Sequence, residues 1–112
     1  MCIFCQIINK EIPAEIIYED KEIIAFKDIH PVAKVHILIV PKKHIKSIAK
    51  LKKSETDLIG KMIWRAKKLA EKFGINKKGY KLLINCGKDG GQMIEHIHLH
   101  LIGGQKLRNW PV

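Results

Sequence analysis

Hydrophobic and polar residues alternate in the segment His96–Leu101, where Ile97 and Leu99 separate three histidines. Strict alternation that is rich in aliphatic residues and is followed by Gly103 and Gly104 predicts a β-strand. Alternate side chains of a strand share one face at a spacing of ~6.6 Å, so the three imidazoles would line one face and the aliphatic residues would pack into a core. Because each ring has a donor and an acceptor to satisfy, three adjacent imidazoles suit a metal, an anion or nucleophilic chemistry better than a core.

The rest of the pattern predicts four further strands and two helices. The strands are Ile16–Glu19, Glu22–Phe26, Val35–Val40 and Gly79–Asn85, and a short helix covers residues 3–10. Apolar residues recur at helical spacing between Leu58 and Phe73 and predict the main helix. Ser54 suits the N-cap of this helix and Gly74 suits its C′ position. The order β-β-β-α-β-β predicts an α+β fold, a meander of five antiparallel strands with one main helix and a short N-terminal helix.

Composition limits the class of protein. The 112 residues suit one domain, and no apolar run approaches 18 residues, which predicts a soluble protein without a membrane span. The first residues, Met1 to Cys5, lack the basic and apolar regions of a signal peptide, so we expect a cytoplasmic location. An odd number of cysteines, 3, does not suggest a disulfide framework.

The net charge of +10 attracts anionic substrates in general but does not predict a nucleic-acid partner. Nearly all the basic residues are lysines spread along the chain, and Arg65 and Arg108 are the exceptions. Arginine is the better residue for bidentate phosphate and base recognition. A solvated, lysine-rich surface of the kind common in thermophiles is the simpler interpretation.

The residues alone leave two interpretations of the histidines open. Three imidazoles can hold a catalytic zinc ion, although no acidic residue lies within the triplet and Glu95 would point to the opposite face. The second interpretation is an anion site, since the preceding loop offers a polar amide and a flexible backbone whose N–H groups can form an anion-binding concavity. Its residues are Asn85, Gly90, Gly91 and Gln92.

The segment from His96 to Ile102 resembles the His-φ-His-φ-His-φ-φ motif of the histidine triad (HIT) family, where φ is apolar. Other stretches resemble the Hint branch of that family: Ile3-Phe4 with Glu11–Pro13, Phe26–Pro31, His36–Ile45, Gly79-Tyr80 leading to Asn85, Gly90–Gln92 and Asn109–Pro111. The likeness covers essentially the whole chain. It implies a single HIT domain over residues 1–112 and a homodimer in which the sheets of two copies join.

The resemblance implies a hydrolase or transferase that acts on purine nucleoside phosphoramidates or related adenylyl compounds. The reaction would pass through a covalent histidine–nucleotide intermediate, with His98 as the nucleophile and with His100 and His36 near the phosphate and leaving group. The implied nucleotide-binding residues are Asp28 on the ribose, Asn85, Gly91, Gln92 and Met93 on the phosphate, and Phe26, Ile29, Ile3, Phe4, Ile7 and Ile12 around the base.

Two departures from the family pattern affect the predicted activity. Met93 stands where Hint proteins usually carry a serine that is thought to help the leaving nitrogen, and Glu95 stands where an aromatic residue is common. A nucleotide-binding module with little turnover is therefore an alternative. Trp110, in a C-terminal tail that is one residue further from the triad than in the family, is a candidate substrate-side residue.

The pair Cys2-x-x-Cys5 is moderately specific for zinc, which needs two more ligands. The resemblance implies that His44 and His96 complete a structural zinc site. Cys86 matches no ligand position and is expected in the core. A metal-dependent hydrolase that uses the three histidines is a further alternative.

Overall fold

The chain is described here by a computed structural model over residues 2–108. The implied substrate-side residue Trp110 lies outside the described residues. The elements are α1 (Ile3–Ile8), β1 (Ile16–Glu19), β2 (Ile23–Lys27), β3 (Val35–Pro41), α2 (Thr56–Lys72), β4 (Tyr80–Leu83) and β5 (Leu99–Gly103). Within residues 2–108, no helix is long and apolar enough to cross a bilayer.

The strands form one antiparallel sheet in the order β1-β2-β3-β5-β4. This confirms the predicted α+β fold of five antiparallel strands, one main helix and a short N-terminal helix. Strand β5 lies between β3 and β4, and His100 pairs with Leu38 on one side and with Leu83 on the other. His100 is therefore held in the middle of the sheet.

Helices cover both faces of the sheet. On one face of the sheet, α2 packs through Met62, Ala66, Leu69 and Ala70. These side chains contact sheet residues that include Ile37, Ile39, Leu99 and Leu101. On the other face, α1 packs through Phe4 and Ile7 against the sheet residues Ile24, Phe26, Leu38 and Val40. Because side chains alternate along a strand, His36 and His100 share the parity of the α1-side residues. The sheet thus places both imidazoles on the face that α1 covers.

The observed strand β5 is shorter than the predicted histidine strand. Strand β5 begins at Leu99, so His96 and His98 lie in the irregular segment before it. The register of β3 with β5 would place Ile97 opposite Pro41, which has no N–H to donate to the ladder. The N–H of Ile97 donates instead to the Ile45 carbonyl at 2.7 Å.

The two ends of α2 compare differently with the prediction. Ser54 is not the N-cap, because it lies inside a 3-10 turn and α2 begins at Thr56. The Glu55 carboxylate stabilises this entry by accepting the Lys52 N–H at 2.8 Å and pairing with Lys43 Nζ at 2.7 Å. Gly74 does follow the C-cap, with φ of 71°, which confirms the predicted end of the helix.

Candidate functional site

His98 lies just before β5, in contact with α1 and with the next histidine. Its ring packs edge-on against Phe4 with 5.0 Å between centroids, and its centroid is 4.9 Å from that of His100. The Nδ1 atom of His98 lies 2.8 Å from the carbonyl oxygen of His96. Because a carbonyl only accepts, this contact assigns the hydrogen of a neutral ring to Nδ1 and leaves a lone pair on Nε2.

Burial lowers the pKa of His98, against smaller opposing effects of the His96 carbonyl and the Asp28 charge. An imidazole with a lowered pKa is neutral at neutral pH. The geometry and the protonation state together give His98 a nucleophilic nitrogen.

His36 and His100 form a direct pair. Their Nε2 and Nδ1 atoms, respectively, are 2.9 Å apart, and Asp28 Oδ2 lies 3.4 Å from His36 Nε2. The N–H of Val32 donates to His36 Nδ1 at 3.2 Å. The other ring nitrogen of His100, Nε2, is buried and has no hydrogen-bond partner among residues 2–108.

Both members of this pair have a lowered pKa. Burial is the main cause for His100, and the like charges of His98 and His36 add to it, so that the pKa of His100 falls to about 4. Burial also lowers the pKa of His36, while the Asp28 charge opposes the shift. Both rings are therefore neutral at neutral pH.

The loop between β4 and the histidines is stabilised by its own side chains. Asn85 Nδ2 donates to the Gly90 carbonyl at 2.7 Å, and Gln92 Oε1 accepts the Gly87 N–H at 2.9 Å. Gln92 Nε2 also donates to the Lys46 carbonyl at 2.7 Å. Gly91 has φ of 79°, a conformation that favours glycine. Asn85 and Gln92 thus hold the shape of the loop.

The apolar residues predicted to contact the nucleotide base divide into a packed group and an exposed group. Phe4 and Phe26 are buried and pack against each other at 5.5 Å between centroids, and Ile7 and Ile12 belong to the same cluster. Ile3 and Ile29 are exposed, Ile29 to 80%. Met93 is also exposed, at 88%. The structure therefore leaves Ile3, Ile29 and Met93 accessible to a ligand.

Cys2, Cys5, His44 and His96 come together, as the resemblance implies, with their ligand atoms within 4.8 Å of one another. His96 Nδ1 lies 3.4 Å from Cys2 Sγ, 3.6 Å from Cys5 Sγ and 3.1 Å from His44 Nδ1. The edges of a tetrahedral zinc site with Zn–N and Zn–S bonds of about 2.0 and 2.3 Å are roughly 3.3–3.8 Å long. The four side chains therefore fit a zinc ion in number, type and spacing.

The orientation of His96 supports the same conclusion. Its Nε2 lies 2.7 Å from the Pro41 carbonyl, which assigns the hydrogen to Nε2 and leaves the Nδ1 lone pair facing the cysteines. Metal-ligating histidines commonly donate their other N–H to a carbonyl in this way. Burial also lowers the pKa of His96, which keeps the ring in the neutral form that a metal requires.

Three contacts within the candidate site were not predicted, because each involves a backbone group. They are the Val32 N–H at His36, the Pro41 carbonyl at His96 and the His96 carbonyl at His98. Backbone groups leave no residue-type signal in a sequence. The expectation that Cys86 is a core thiol is wrong, since Cys86 is exposed in the loop after β4.

Comparisons with known proteins agree over nearly the whole chain. The HIT domain family model matches residues 9–107. An uncharacterized HIT-like protein of Buchnera aphidicola subsp. Baizongia pistaciae (strain Bp) is 50% identical over 109 residues, which cover 96% of this chain and 97% of that protein.

Solved structures give the same result. A HIT family hydrolase from Legionella pneumophila Philadelphia 1 superposes with a TM-score of 0.96 and 47% identity, covering 99% of this chain and 98% of that chain. A histidine triad nucleotide-binding protein from Candida albicans superposes with a TM-score of 0.83 and 30% identity, covering 100% of this chain and 84% of that chain.

The low pKa of His100 makes the stability of the fold sensitive to acid. Below its ordinary value of 6.5 and above about 4, the His100 ring binds a proton in the unfolded state but not in the folded state. We therefore expect the free energy of unfolding to fall as the pH is lowered through this window. Urea unfolding with a chelator present, at pH values from about 7.5 to 4.5, measures this dependence.

His100→Gln is expected to make this pH dependence shallower. His30→Gln, which removes an exposed imidazole, is the matched control and is expected to keep the parental dependence. Equal slopes for all three proteins would contradict the assignment to His100.

Proposed function

This chain is a member of the HIT family, and we propose that it is a nucleotide-binding hydrolase or transferase that uses His98 as a covalent nucleophile. The substrates we propose are purine nucleoside phosphoramidates or related adenylyl compounds. One observation carries the proposal: the His96 carbonyl assigns the hydrogen of His98 to Nδ1, so Nε2 carries the lone pair in a ring whose pKa burial lowers. The names of the similar hydrolase and nucleotide-binding proteins support it.

The proposed reaction has two displacement steps. His98 Nε2 attacks the α-phosphorus, the bond from phosphorus to the leaving nitrogen breaks, and that nitrogen departs with the bonding electrons and takes up a proton. Water or another acceptor then attacks the phosphorus of the histidine adduct, which releases the nucleotide and restores the imidazole. His100 stabilises the oxygens that gain charge during transfer, and His36 contributes through its hydrogen bond to His100.

The remaining proposed contacts bind the nucleotide. Asp28 accepts hydrogen bonds from the ribose hydroxyls, and Gly91, Gln92 and Met93 contact the phosphate through the loop. The exposed side chains of Ile3 and Ile29 contact the base, with Phe4 and Phe26 behind them. Asn85 contributes by holding the loop through its bond to Gly90.

Met93 supports a second candidate, a nucleotide-binding module with little turnover. A thioether cannot donate a hydrogen bond, so it cannot protonate the leaving nitrogen as a hydroxyl can. The exposure of Met93, 88%, leaves that position open to the solvent or to the leaving group. Binding of AMP without release of product would favour this candidate.

A metal-dependent hydrolase is less well supported. Asp28, His36 and His100 have the composition of a metal site. However, His36 Nδ1 accepts the Val32 N–H, which assigns the hydrogen of the neutral His36 ring to Nε2, the nitrogen that faces Asp28 and His100. A ring N–H at that position opposes a cation.

We propose a structural zinc ion bound by Cys2, Cys5, His44 and His96, because these four donors match its tetrahedral spacing. Zinc bound there would cross-link α1, the segment after β3 and the segment before β5. The thiols would be deprotonated on binding, although burial and the neighbouring Cys2 raise the pKa of Cys5. A reduced thiol pair is also consistent with the cytoplasmic location that we propose.

We also propose that two copies join through β4. This strand is an edge of the sheet, and Leu82 on it is exposed, as are Ile63 and Trp64 on α2. Leu82 pairs with Leu101, and both Leu101 and Tyr80 of β4 belong to the core cluster with which α2 packs, so Leu82 and α2 lie on the same side of the sheet. An edge strand beside exposed apolar side chains favours pairing with a second chain.

Substitution of the interface tests the dimer. Trp64→Glu places a charge in the proposed contact and is expected to convert the dimer to a monomer, measured by light scattering after gel filtration. Ile48→Glu changes an exposed isoleucine outside this surface and is expected to leave the mass unchanged. A parent protein of monomer mass would refute the proposal.

The nucleophile is tested with an adenosine phosphoramidate. His98→Ala is expected to reduce AMP release by at least about 10³-fold, because no other group forms the covalent intermediate. The exposed imidazole His30 provides the control, and His30→Ala should retain the parental rate. Mass spectrometry of the quenched parent should detect a nucleotidyl adduct that is absent from His98→Ala.

Two outcomes would contradict this assignment. Equal rates for the parent and a folded His98→Ala would exclude His98 as the nucleophile. Loss of activity on chelation, while the circular dichroism spectrum and the thermal midpoint are retained, would favour the metal-dependent mechanism.

The zinc site is tested by metal content and stability rather than by activity. Cys5→Ser should lower bound zinc from about one ion per chain to nearly none and should lower the thermal midpoint of the metal-loaded protein. Cys86→Ser removes an exposed thiol outside the cluster and is the matched control. If Cys5→Ser retains its zinc and its thermal midpoint, the site is refuted.

A further inference from the structure

The connection between β2 and β3 contacts the His36 ring through the Val32 N–H as well as through the Asp28 carboxylate. The N–H of Val32 donates to His36 Nδ1 at 3.2 Å. The Val32 side chain is 53% exposed, so the role of this residue at the site comes from its backbone.

That contact determines which nitrogen of His36 carries the hydrogen. Burial lowers the pKa of His36, so the ring is neutral and has one N–H. Since Nδ1 accepts from Val32, the hydrogen is on Nε2. Asp28 Oδ2, an acceptor 3.4 Å from Nε2, favours the same tautomer. The Val32 N–H at Nδ1 and the Asp28 carboxylate at Nε2 thus favour the same tautomer of His36.

The tautomer of His36 in turn determines that of His100. The His36 Nε2–H donates to His100 Nδ1 over 2.9 Å, so a neutral His100 carries its hydrogen on Nε2. His100 Nε2 is the buried side-chain nitrogen that has no partner among residues 2–108. A buried N–H without a partner is unfavourable until an acceptor reaches it, and an anionic oxygen is the strongest acceptor.

We propose that Val32 is a positioning residue whose backbone N–H sets the tautomers of His36 and His100, so that His100 presents Nε2–H to an oxygen of the phosphoryl group transferred to His98. This inference rests on the proposed function. In the opposite tautomer, His36 Nδ1–H would face the Val32 N–H, and His100 would present a lone pair to an anionic oxygen. The loop carrying Asp28 and Ile29 thereby controls the donor in the centre of the sheet.

The test removes the N–H of Val32 and keeps the rest of the chain. Val32→Pro lacks this N–H, and Val32→Ala retains it and is the matched control. In spectra of ¹⁵N-histidine-labelled protein, the parent and Val32→Ala should show protonated Nε2 and unprotonated Nδ1 for both rings. Val32→Pro should show a mixture of tautomers or the opposite one.

Turnover of an adenosine phosphoramidate gives the second measurement. Relative to Val32→Ala, Val32→Pro should lower kcat on the order of 10-fold to 100-fold, with a smaller change in KM, because the donor acts mainly in the transition state. If the proline disrupts the fold, replacing Val32 by its α-hydroxy acid removes the same N–H and leaves the side chain unchanged, and it should give the same result.

The spectra separate this inference from the proposed function. A parent in which either ring carries its hydrogen on Nδ1 would overturn the inference even if the protein is active. Parental tautomers in the folded variant that lacks the Val32 N–H would also overturn it. If the parent shows the expected tautomers and the N–H-deficient variant loses them, the positioning role holds. The absence of turnover by the parent would then count only against the proposed function.

Discussion

The hydrogen bond from His98 Nδ1 to the His96 carbonyl is the contact on which the candidate site depends. It leaves the lone pair on Nε2, and it requires the chain to depart from regular strand geometry. In a regular ladder the His96 carbonyl would point toward the neighbouring strand, where the ring of His98 could not reach it. The proposed chemistry therefore requires the irregular segment before β5.

Pro41 lies where the regular pairing of β3 with β5 ends, and its carbonyl also orients His96. Pro41 has no N–H to donate to Ile97, and the ladder between β3 and β5 ends at the pair of Ile39 and Leu99. The Pro41 carbonyl instead accepts the Nε2–H of His96 and orients its Nδ1 toward the two cysteines. His96, whose carbonyl orients the proposed nucleophile His98, is thus also the buried member of the candidate metal site. The proposed zinc would stabilise the backbone that His98 contacts.

The sequence predicts most of the fold because hydrophobic periodicity determines which residues are buried. The strongly apolar β3 and the amphipathic α2 are found at nearly their predicted positions. The same periodicity overestimated the length of the histidine strand. Alternation indicates the spacing of side chains but not whether the backbone of a neighbouring strand can pair with that segment. Ser54 was a wrong N-cap because Glu55 and Lys43, an ion pair between distant segments, stabilise a different start of α2.

The residues of the site were more predictable than their states. The Cys2-x-x-Cys5 spacing together with the family resemblance identified the four metal-site candidates, and the structure brings them together. The sequence could not indicate that Asn85 and Gln92 bond within their own loop, since both amides could equally have faced a ligand. Nor could it indicate which nitrogen of each imidazole carries a hydrogen, because that depends on backbone groups brought near by folding.

Burial and backbone contacts together explain how three identical side chains acquire different chemistry. In a chain of net charge +10, charged imidazoles packed side by side would repel one another, and burial keeps the rings neutral by lowering each pKa. A neutral imidazole has one donor and one acceptor, and its neighbour decides which nitrogen is which. The Pro41 carbonyl gives His96 a lone pair at Nδ1, and the His96 carbonyl gives His98 a lone pair at Nε2. The His36 ring leaves His100 with an N–H at Nε2, so the three proposed roles of metal ligand, nucleophile and hydrogen-bond donor arise from one residue type without any difference in ionisation.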